Sequence, residues 1–151
     1  MRIFTDLEAL AACLGQEVAV SDWHTVTQEQ INRFADATGD HQWIHVDPTR
    51  AQQGPFGTTV AHGFLTLSLM PLFLTTAMRV DSVRMGVNYG MNRVRFTSPV
   101  PVGSRLRARF RLQACESIEP RGCQITWDTL VEREGSDKPV CVAEFLARSY
   151  E

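Results

Sequence analysis

Two residues with acid–base side chains lie close together, just beyond a predicted helix end. Gly39 stops a helical pattern, Asp40 follows at once, and His45 comes five residues after Asp40. A carboxylate and an imidazole on one short loop can share a single water molecule or substrate proton. The spacing therefore predicts general acid–base chemistry near neutral pH, with Asp40 and His45 as the candidate catalytic pair.

A second chemical signal is the segment 61–68, where a turn of small residues opens a long apolar helix. The first N–H groups of a helix have no intrahelical acceptor, so they are free to bind an anion. Gly63 lies at this start, and the absence of a side chain leaves its N–H open to approach. We predict that the Gly63 N–H stabilises an oxyanion.

The same residues also have structural interpretations. An Asp after a helix-ending glycine commonly bonds backbone N–H groups of its own turn, and a single His is more often structural than catalytic. The residues His41, His45, His62, Asp40 and Asp47 could also suggest a metal site. Because His41 and His45 fall on a predicted loop with nothing to orient them, we expect no metal. We expect His62 to hydrogen-bond the turn at the helix start.

Helical patterns flank the candidate pair. A capping box at Thr5 begins a helix that ends at Gly15, and a second at Thr27 begins a helix that ends at Gly39. The polar loop 40–60 is long for a compact domain, so it is expected to be functional or to carry short helices.

The most apolar helix is predicted over residues 62–77, with hydrophobic side chains on nearly all its sides, so burial is expected. Pro71 within it predicts a kink or an early end. Segments with a period of two residues follow, separated by Pro and Gly turns, at 83–97, 104–116, 122–134 and 139–149. This order predicts an α+β protein of the hot-dog fold, a long antiparallel sheet wrapped around a buried central helix, with 1–151 as a single domain.

Composition excludes several classes of protein. A net charge of −2 argues against nucleic-acid binding by bulk electrostatics, and the absence of a run of about 18 apolar residues predicts no transmembrane helix. The four cysteines have no metal-binding spacing. We expect them to be free thiols in a cytoplasmic protein.

The motif residues resemble the MaoC-like (R)-specific enoyl-CoA hydratases. The resemblance begins with Gly39-Asp40-x-x-x-Ile44-His45 and Asp47-Pro48, continues through Ala61-His62-Gly63, and extends into the segments 89–96 and 99–103. It spans roughly residues 25–115. One departure is visible, because the common family pattern has Asn-Pro where this chain has Gln42-Trp43. With Gln42-Trp43 in these positions, the loop beneath the acyl chain need not have the shape that is usual in the family.

The resemblance implies a homodimer that adds water reversibly to a trans-2-enoyl-CoA, giving the (R)-3-hydroxyacyl-CoA, without a metal or redox cofactor. It places the catalytic pair at Asp40 and His45, and the N–H that binds the thioester oxygen at Gly63. From the chemistry we expect Asp40 to deprotonate the water and His45 to position it and relay a proton. The sequence does not fix these two roles, because coupled groups titrate as a pair.

Other interpretations remain open at this point. A hot-dog thioesterase would also use a carboxylate and an oxyanion-binding helix start, and a non-catalytic acyl-thioester-binding module would have no need for the Asp–His pair. The Asp–His pair on one loop favours the hydratase. The acyl chain length and the carrier, coenzyme A or acyl-carrier protein, stay undecided. The arginines of segment 105–111 are expected to form a solvated strand face, with contact to CoA phosphates as the alternative.

Overall fold

The computed structural model describes residues 1–151. In chain order its elements are β1 (Arg2–Phe4), α1 (Leu7–Ala11), β2 (Glu17–Val20), β3 (His24–Thr25), α2 (Gln28–Thr38), α3 (Trp43–Val46), α4 (Pro48–Ala51), α5 (Gly63–Ser68), α6 (Met70–Ala77), β4 (Met78–Val80), β5 (Met85–Phe96), β6 (Arg105–Ile118), β7 (Gly122–Arg133) and β8 (Cys141–Tyr150).

The main sheet has six strands, and all its pairings are antiparallel. Its order is β2-β6-β7-β8-β5, with β3 also pairing with β6. The four long segments predicted from their two-residue period are β5 to β8, so that prediction is confirmed. A short parallel pair, β1 and β4, lies outside this sheet.

The helix that precedes the candidate pair starts and stops where the sequence predicts. The Thr27 side chain accepts a hydrogen bond from the N–H of Gln30, and Gly39 ends α2 with a left-handed φ of 80°. Glycine adopts that conformation without steric cost, so the chain can turn sharply into Asp40. The first helix differs from the prediction, because Asp6 and not Thr5 caps it, and it ends at Ala11.

The predicted central helix is interrupted. It forms α5 and α6 with a break at Leu69, because Pro71 has no N–H to continue the hydrogen-bond ladder. Phe73 and Met70 are buried against the sheet, where Trp127 and Phe110 make an edge contact with ring centroids 6.0 Å apart. The helix therefore packs on one face of the sheet, as a hot-dog fold requires.

Burial on all sides of the helical segment was the wrong expectation. Phe64 is 68% exposed and Leu72 is 40% exposed in the single chain. Phe64 packs against Phe96 of the edge strand β5, which is itself largely exposed. None of the helices combines the length and the apolar character needed to cross a bilayer.

The expectation of four free thiols is also wrong. Cys115 on β6 and Cys123 on β7 form a disulfide across the hairpin, with Cα atoms 6.1 Å apart. Cys13 and Cys141 are free. Nothing in the sequence indicated this pair, because the register of β6 against β7 decides which cysteines come within bonding distance.

Three of the four arginines on the β6 face are paired with glutamates within the fold. Glu134 pairs with Arg105 at 2.8 Å, and Glu132 lies between Arg107 and Arg109 at 2.6 and 2.7 Å. These contacts support the structural interpretation of the face over the binding of CoA phosphates.

Candidate active site

Asp40 and His45 are brought together as the sequence predicts. Asp40 is exposed at the end of α2, whereas His45 lies in the short helix α3 and is 7% exposed. A carboxylate oxygen of Asp40 and a ring nitrogen of His45 lie within 4.8 Å of each other, in a group that also includes His62. This separation leaves room for one hydrogen-bonded water molecule between the two side chains.

The surroundings of His45 determine its protonation. Nδ1 lies 2.6 Å from the carbonyl oxygen of Val60, and because a carbonyl only accepts, Nδ1 must carry the proton. In the neutral ring Nε2 is therefore the unprotonated acceptor. Burial lowers the pKa of His45 below its ordinary value, although the bond to Val60 opposes this change. Burial thus favours the neutral ring, whose Nε2 can accept a hydrogen bond.

His62 supports the pair from the start of α5. Its Nε2 donates to the backbone oxygen of Asp40 at 2.9 Å, and its ring stacks on His45 with centroids 3.8 Å apart. His62 does not bond the turn at its own helix start as expected, but the loop that follows α2, and its stacking on His45 was not foreseen. The bond fixes the position of Asp40 relative to the helix start.

The imidazole geometry does not favour a shared metal ion. The rings of His45 and His62 are stacked at an interplanar angle of 24°. Lone pairs of imidazole lie in the ring plane, so those of two stacked rings run side by side and do not converge at a metal–nitrogen distance. Two other members of the suggested set make different contacts. His41 is hydrogen-bonded to Asp36, and the Asp47 side chain caps α4.

A cavity of about 340 Å³ adjoins His45, whereas Asp40 lies outside its wall. His45, Gly63 and Thr66 contribute to its wall, and most of the remaining lining is apolar: Ile44, Phe56, Val60, Ala61, Phe96, Pro99, Val100 and Val140. The size and lining suit a short acyl group held beside a few polar atoms. A larger cleft of about 660 Å³ exists, but Asp6, Glu8, Glu119 and Glu151 line it and none of the candidate residues does.

Gly63 is the first residue of α5, as predicted, and no side chain caps that helix. Its N–H has no intrahelical acceptor. Since α5 has only six residues, a dipole summed over a long helix cannot contribute, and the oxyanion proposal depends on the N–H itself.

Phe96 explains why residue 63 has no side chain. A Cβ built on Gly63 would come within 2.6 Å of the Phe96 ring. Phe96 packs edge-on against Phe64, with centroids 5.7 Å apart, and is 43% exposed. No sequence signal linked Phe96 to Gly63, because they meet only through tertiary packing.

Gln28 is a second contributor that the sequence did not reveal. It opens α2, and its side-chain amide donates to the carbonyl of His45 at 2.8 Å while its oxygen accepts from the hydroxyl of Thr59 at 2.5 Å. One side chain therefore ties the His45 segment to the segment that leads into α5.

The departure from the family pattern at Gln42-Trp43 lies outside the cavity. Trp43 packs against Gly54 and stacks under Arg50 at 4.5 Å. It is absent from the cavity wall, so the Trp side chain shapes the outer face of the loop and does not contact the presumed acyl position.

The fold and the site together define a hot-dog protein with an Asp–His pair beside an apolar cavity. A family model described as a MaoC like domain matches residues 10–133. The 3-hydroxyacyl-thioester dehydratase Z of Mycobacterium tuberculosis (strain H37Rv) is 55% identical over 148 residues, covering 98% of each chain. Nodulation protein N of Rhizobium leguminosarum bv. viciae is 47% identical, covering 88% of this chain and 84% of its own.

Solved structures agree on the fold. The R-hydratase PhaJ1 from Pseudomonas aeruginosa superposes with a TM-score of 0.74 at 20% identity, covering 98% of this chain and 87% of the other. The chain therefore belongs to the MaoC-like family, and the family and hot-dog fold predicted from the sequence are confirmed.

Proposed function

We propose that this protein is an (R)-specific enoyl-CoA hydratase that adds water reversibly to trans-2-enoyl thioesters. The observation that carries the proposal is the Asp40–His45 pair, whose polar atoms lie within 4.8 Å of each other beside an apolar cavity. Similarity to a 3-hydroxyacyl-thioester dehydratase over 98% of the chain supports the same reaction in the dehydration direction.

In the proposed mechanism one water molecule lies between Asp40 and His45. The Asp40 carboxylate accepts a hydrogen bond from one O–H of this water and so orients it. The unprotonated Nε2 of His45 accepts a hydrogen bond from the other O–H. The water oxygen then forms a bond to the β-carbon, its proton moves to Nε2, and the π electrons move towards the thioester oxygen. The imidazolium returns this proton to the α-carbon.

The tautomer of His45 is the reason for giving it the proton transfer. The sequence favoured Asp40 as the base, but the bond from Nδ1 to Val60 leaves Nε2 as an acceptor. Asp40 is exposed at the end of α2, whereas His45 is buried and lines the cavity. We therefore assign orientation of the water to Asp40 and proton transfer to His45.

The thioester oxygen is assigned to the N–H of Gly63, which faces no intrahelical acceptor. Negative charge on this oxygen increases as the β-carbon is attacked, so the hydrogen bond strengthens on the way to the transition state. The cavity beside Gly63 and Val100 would hold the first carbons of the acyl chain.

The test is direct. Purified protein is mixed with crotonyl-CoA and with longer enoyl-CoAs, the loss of enoyl absorbance is followed, and the product configuration is determined by chiral chromatography. We expect absorbance loss and the (R)-3-hydroxyacyl product. Release of free coenzyme A thiol without hydration would identify a thioesterase, and binding without either change would identify a non-catalytic acyl-thioester module.

We also propose that the working unit is a homodimer. Strand β5 lies at the sheet edge, and Met85, Val87 and Tyr89 on it are 42–53% exposed. At the other end of β5, the exposed Phe96 contacts the exposed Phe64. Such an edge can pair with another strand, and a second copy would cover it by twofold symmetry.

Because coenzyme A thioesters are intracellular compounds, we also propose that the protein acts in the cytoplasm. Fractionation of cells tests this location.

A charge on β5 tests the dimer. Val87→Asp should give a monomer in sedimentation velocity at micromolar concentration. Leu14→Asp is the matched control, because Leu14 is 58% exposed and lies beyond α1, outside the proposed interface. A wild-type protein that sediments as a monomer would contradict the proposal.

A further inference from the structure

Thr66 has a buried hydroxyl group that the fold does not use. The residue is 1% exposed, its Oγ1 has no hydrogen-bond partner, and it forms part of the cavity wall with His45 and Gly63. Burying a hydroxyl without a partner costs free energy, and nearly all buried polar groups in proteins are paired. A partner supplied by a bound ligand would account for this one.

The hydroxyl is free although the helix offers it an acceptor. Threonine and serine in helices often donate to the carbonyl four residues earlier, as Ser68 does to Phe64 at 2.7 Å and Thr75 does to Pro71 at 2.8 Å. Thr66 makes no such bond. The carbonyl of His62, which it would use, accepts only the backbone N–H of Thr66.

The position of Thr66 on α5 directs it to the same ligand as Gly63. Residues three apart in a helix are neighbours on one face, and helical side chains lean towards the helix start. The Thr66 side chain is therefore one turn above Gly63 and leans towards it. His45 reaches the cavity from α3, so it and Thr66 approach a bound ligand from different helices.

We propose that the Thr66 hydroxyl donates a hydrogen bond to the thioester oxygen of the bound substrate, as a second donor beside the Gly63 N–H. This inference rests on the proposed hydratase function. Charge on that oxygen increases as water adds, so the bond stabilises the transition state more than the bound substrate. Its removal should reduce kcat and leave KM nearly unchanged.

The experiment replaces the hydroxyl without changing side-chain volume. Thr66→Val should lower kcat on crotonyl-CoA by roughly 10- to 100-fold, the effect of one hydrogen bond to a charged group. Its Tm should stay equal to the wild type or rise, because an unpaired polar group leaves the interior. Thr66→Ser retains a hydroxyl and should keep most of the turnover.

Thr129→Val is the matched control. Thr129 is also 1% exposed with an unpartnered hydroxyl, but it lies on β7 and outside the wall of this cavity. Its Tm should respond as that of Thr66→Val does, while its turnover should remain that of the wild type.

The outcomes separate this inference from the function on which it depends. A wild type that leaves every enoyl-CoA unchanged refutes both. An active wild type whose Thr66→Val variant turns over normally refutes the inference alone. A clear drop in Tm for Thr66→Val would also overturn it, because the hydroxyl would then be used within the fold, for example by the Nδ1 of His62, which also has no partner.

Discussion

Two substitutions at Gly63 separate the effect of its N–H from the effect of side-chain volume. Both Gly63→Ala and Gly63→Pro add a Cβ that would meet the Phe96 ring at 2.6 Å. Only Pro also removes the N–H. Proline also puts its Cδ in place of that hydrogen, so the further loss of turnover in Gly63→Pro reports the closure of this N–H position to the thioester oxygen.

The steric cost can be estimated from the packing. The atoms nearest the added Cβ all belong to the Phe96 ring, and Phe96 is 43% exposed, so the ring can swing outward. Loss of its edge contact with Phe64 costs about 0.5–1.5 kcal/mol, and an off-rotamer ring costs a similar amount, about 0.5–1.5 kcal/mol. We expect both variants to lose roughly 1–3 kcal/mol of stability, by adding these two contributions.

Proline should be tolerated by the backbone at this position. The first residue of a helix does not use its N–H within the helix, and His62 has ψ of 138°, which is the conformation favoured before proline. Gly63→Ala should keep turnover within about tenfold of the wild type, whereas Gly63→Pro should lose a further 10²-fold or more.

The assay combines steady-state turnover of crotonyl-CoA with thermal unfolding followed by circular dichroism. Turnover is compared only between variants that remain folded at the assay temperature. Equal turnover of folded Gly63→Ala and Gly63→Pro would refute the oxyanion assignment, and so would a bound thioester analogue whose oxygen points elsewhere.

Three further predictions concern stability and reactivity. Gly39→Ala should destabilise the fold by about 1–2 kcal/mol in urea unfolding, because Gly39 ends α2 at a φ of 80°; an unchanged midpoint would contradict this. Burial lowers the pKa of His45 below its ordinary 6.5, so the unfolded chain binds the proton more readily, and stability should fall as pH drops below about 6.5. His45→Gln should remove this part of the pH dependence, and parallel curves for the two proteins would count against it. Burial raises the pKa of the Cys141 thiol to about 11, so iodoacetamide at pH 8 should label Cys13 in the native protein and Cys141 only after unfolding, as peptide mass spectrometry would show.

Local sequence signals predicted much of the fold. Thr27 and Gly39 bound α2 because capping and left-handed turns depend on the residue itself. The strands β5 to β8 followed from alternation of side chains, which a sheet with one buried face imposes. The break before Pro71 followed from its missing N–H.

Features that depend on register or on distant packing were not predictable in the same way. The Cys115–Cys123 pair required the alignment of β6 with β7. Phe64 is exposed because a different face of its helix packs on the sheet. A helix that is apolar on all sides does not specify in its sequence which face that will be.

The residues of the candidate site also fall into a group that was predictable from the sequence and a group that was not. Asp40, His45 and Gly63 could be identified because each lies at a sequence-local feature, a helix end or a helix start. Gln28, Phe96 and Thr66 could not, because their contributions arise from contacts made across the folded chain.

The central claim is that Asp40 and His45 together perform the hydration. The most direct test is the turnover of crotonyl-CoA by Asp40→Asn and His45→Gln, each checked for a native circular dichroism spectrum and compared with Asp47→Asn. Asp47 lies on the same loop but only caps α4, so its variant controls for loss of a nearby carboxylate. The account predicts a loss of about 10² or more in kcat for each of the first two variants, and near-normal turnover for the third. Near-normal turnover of folded Asp40→Asn and folded His45→Gln would contradict it.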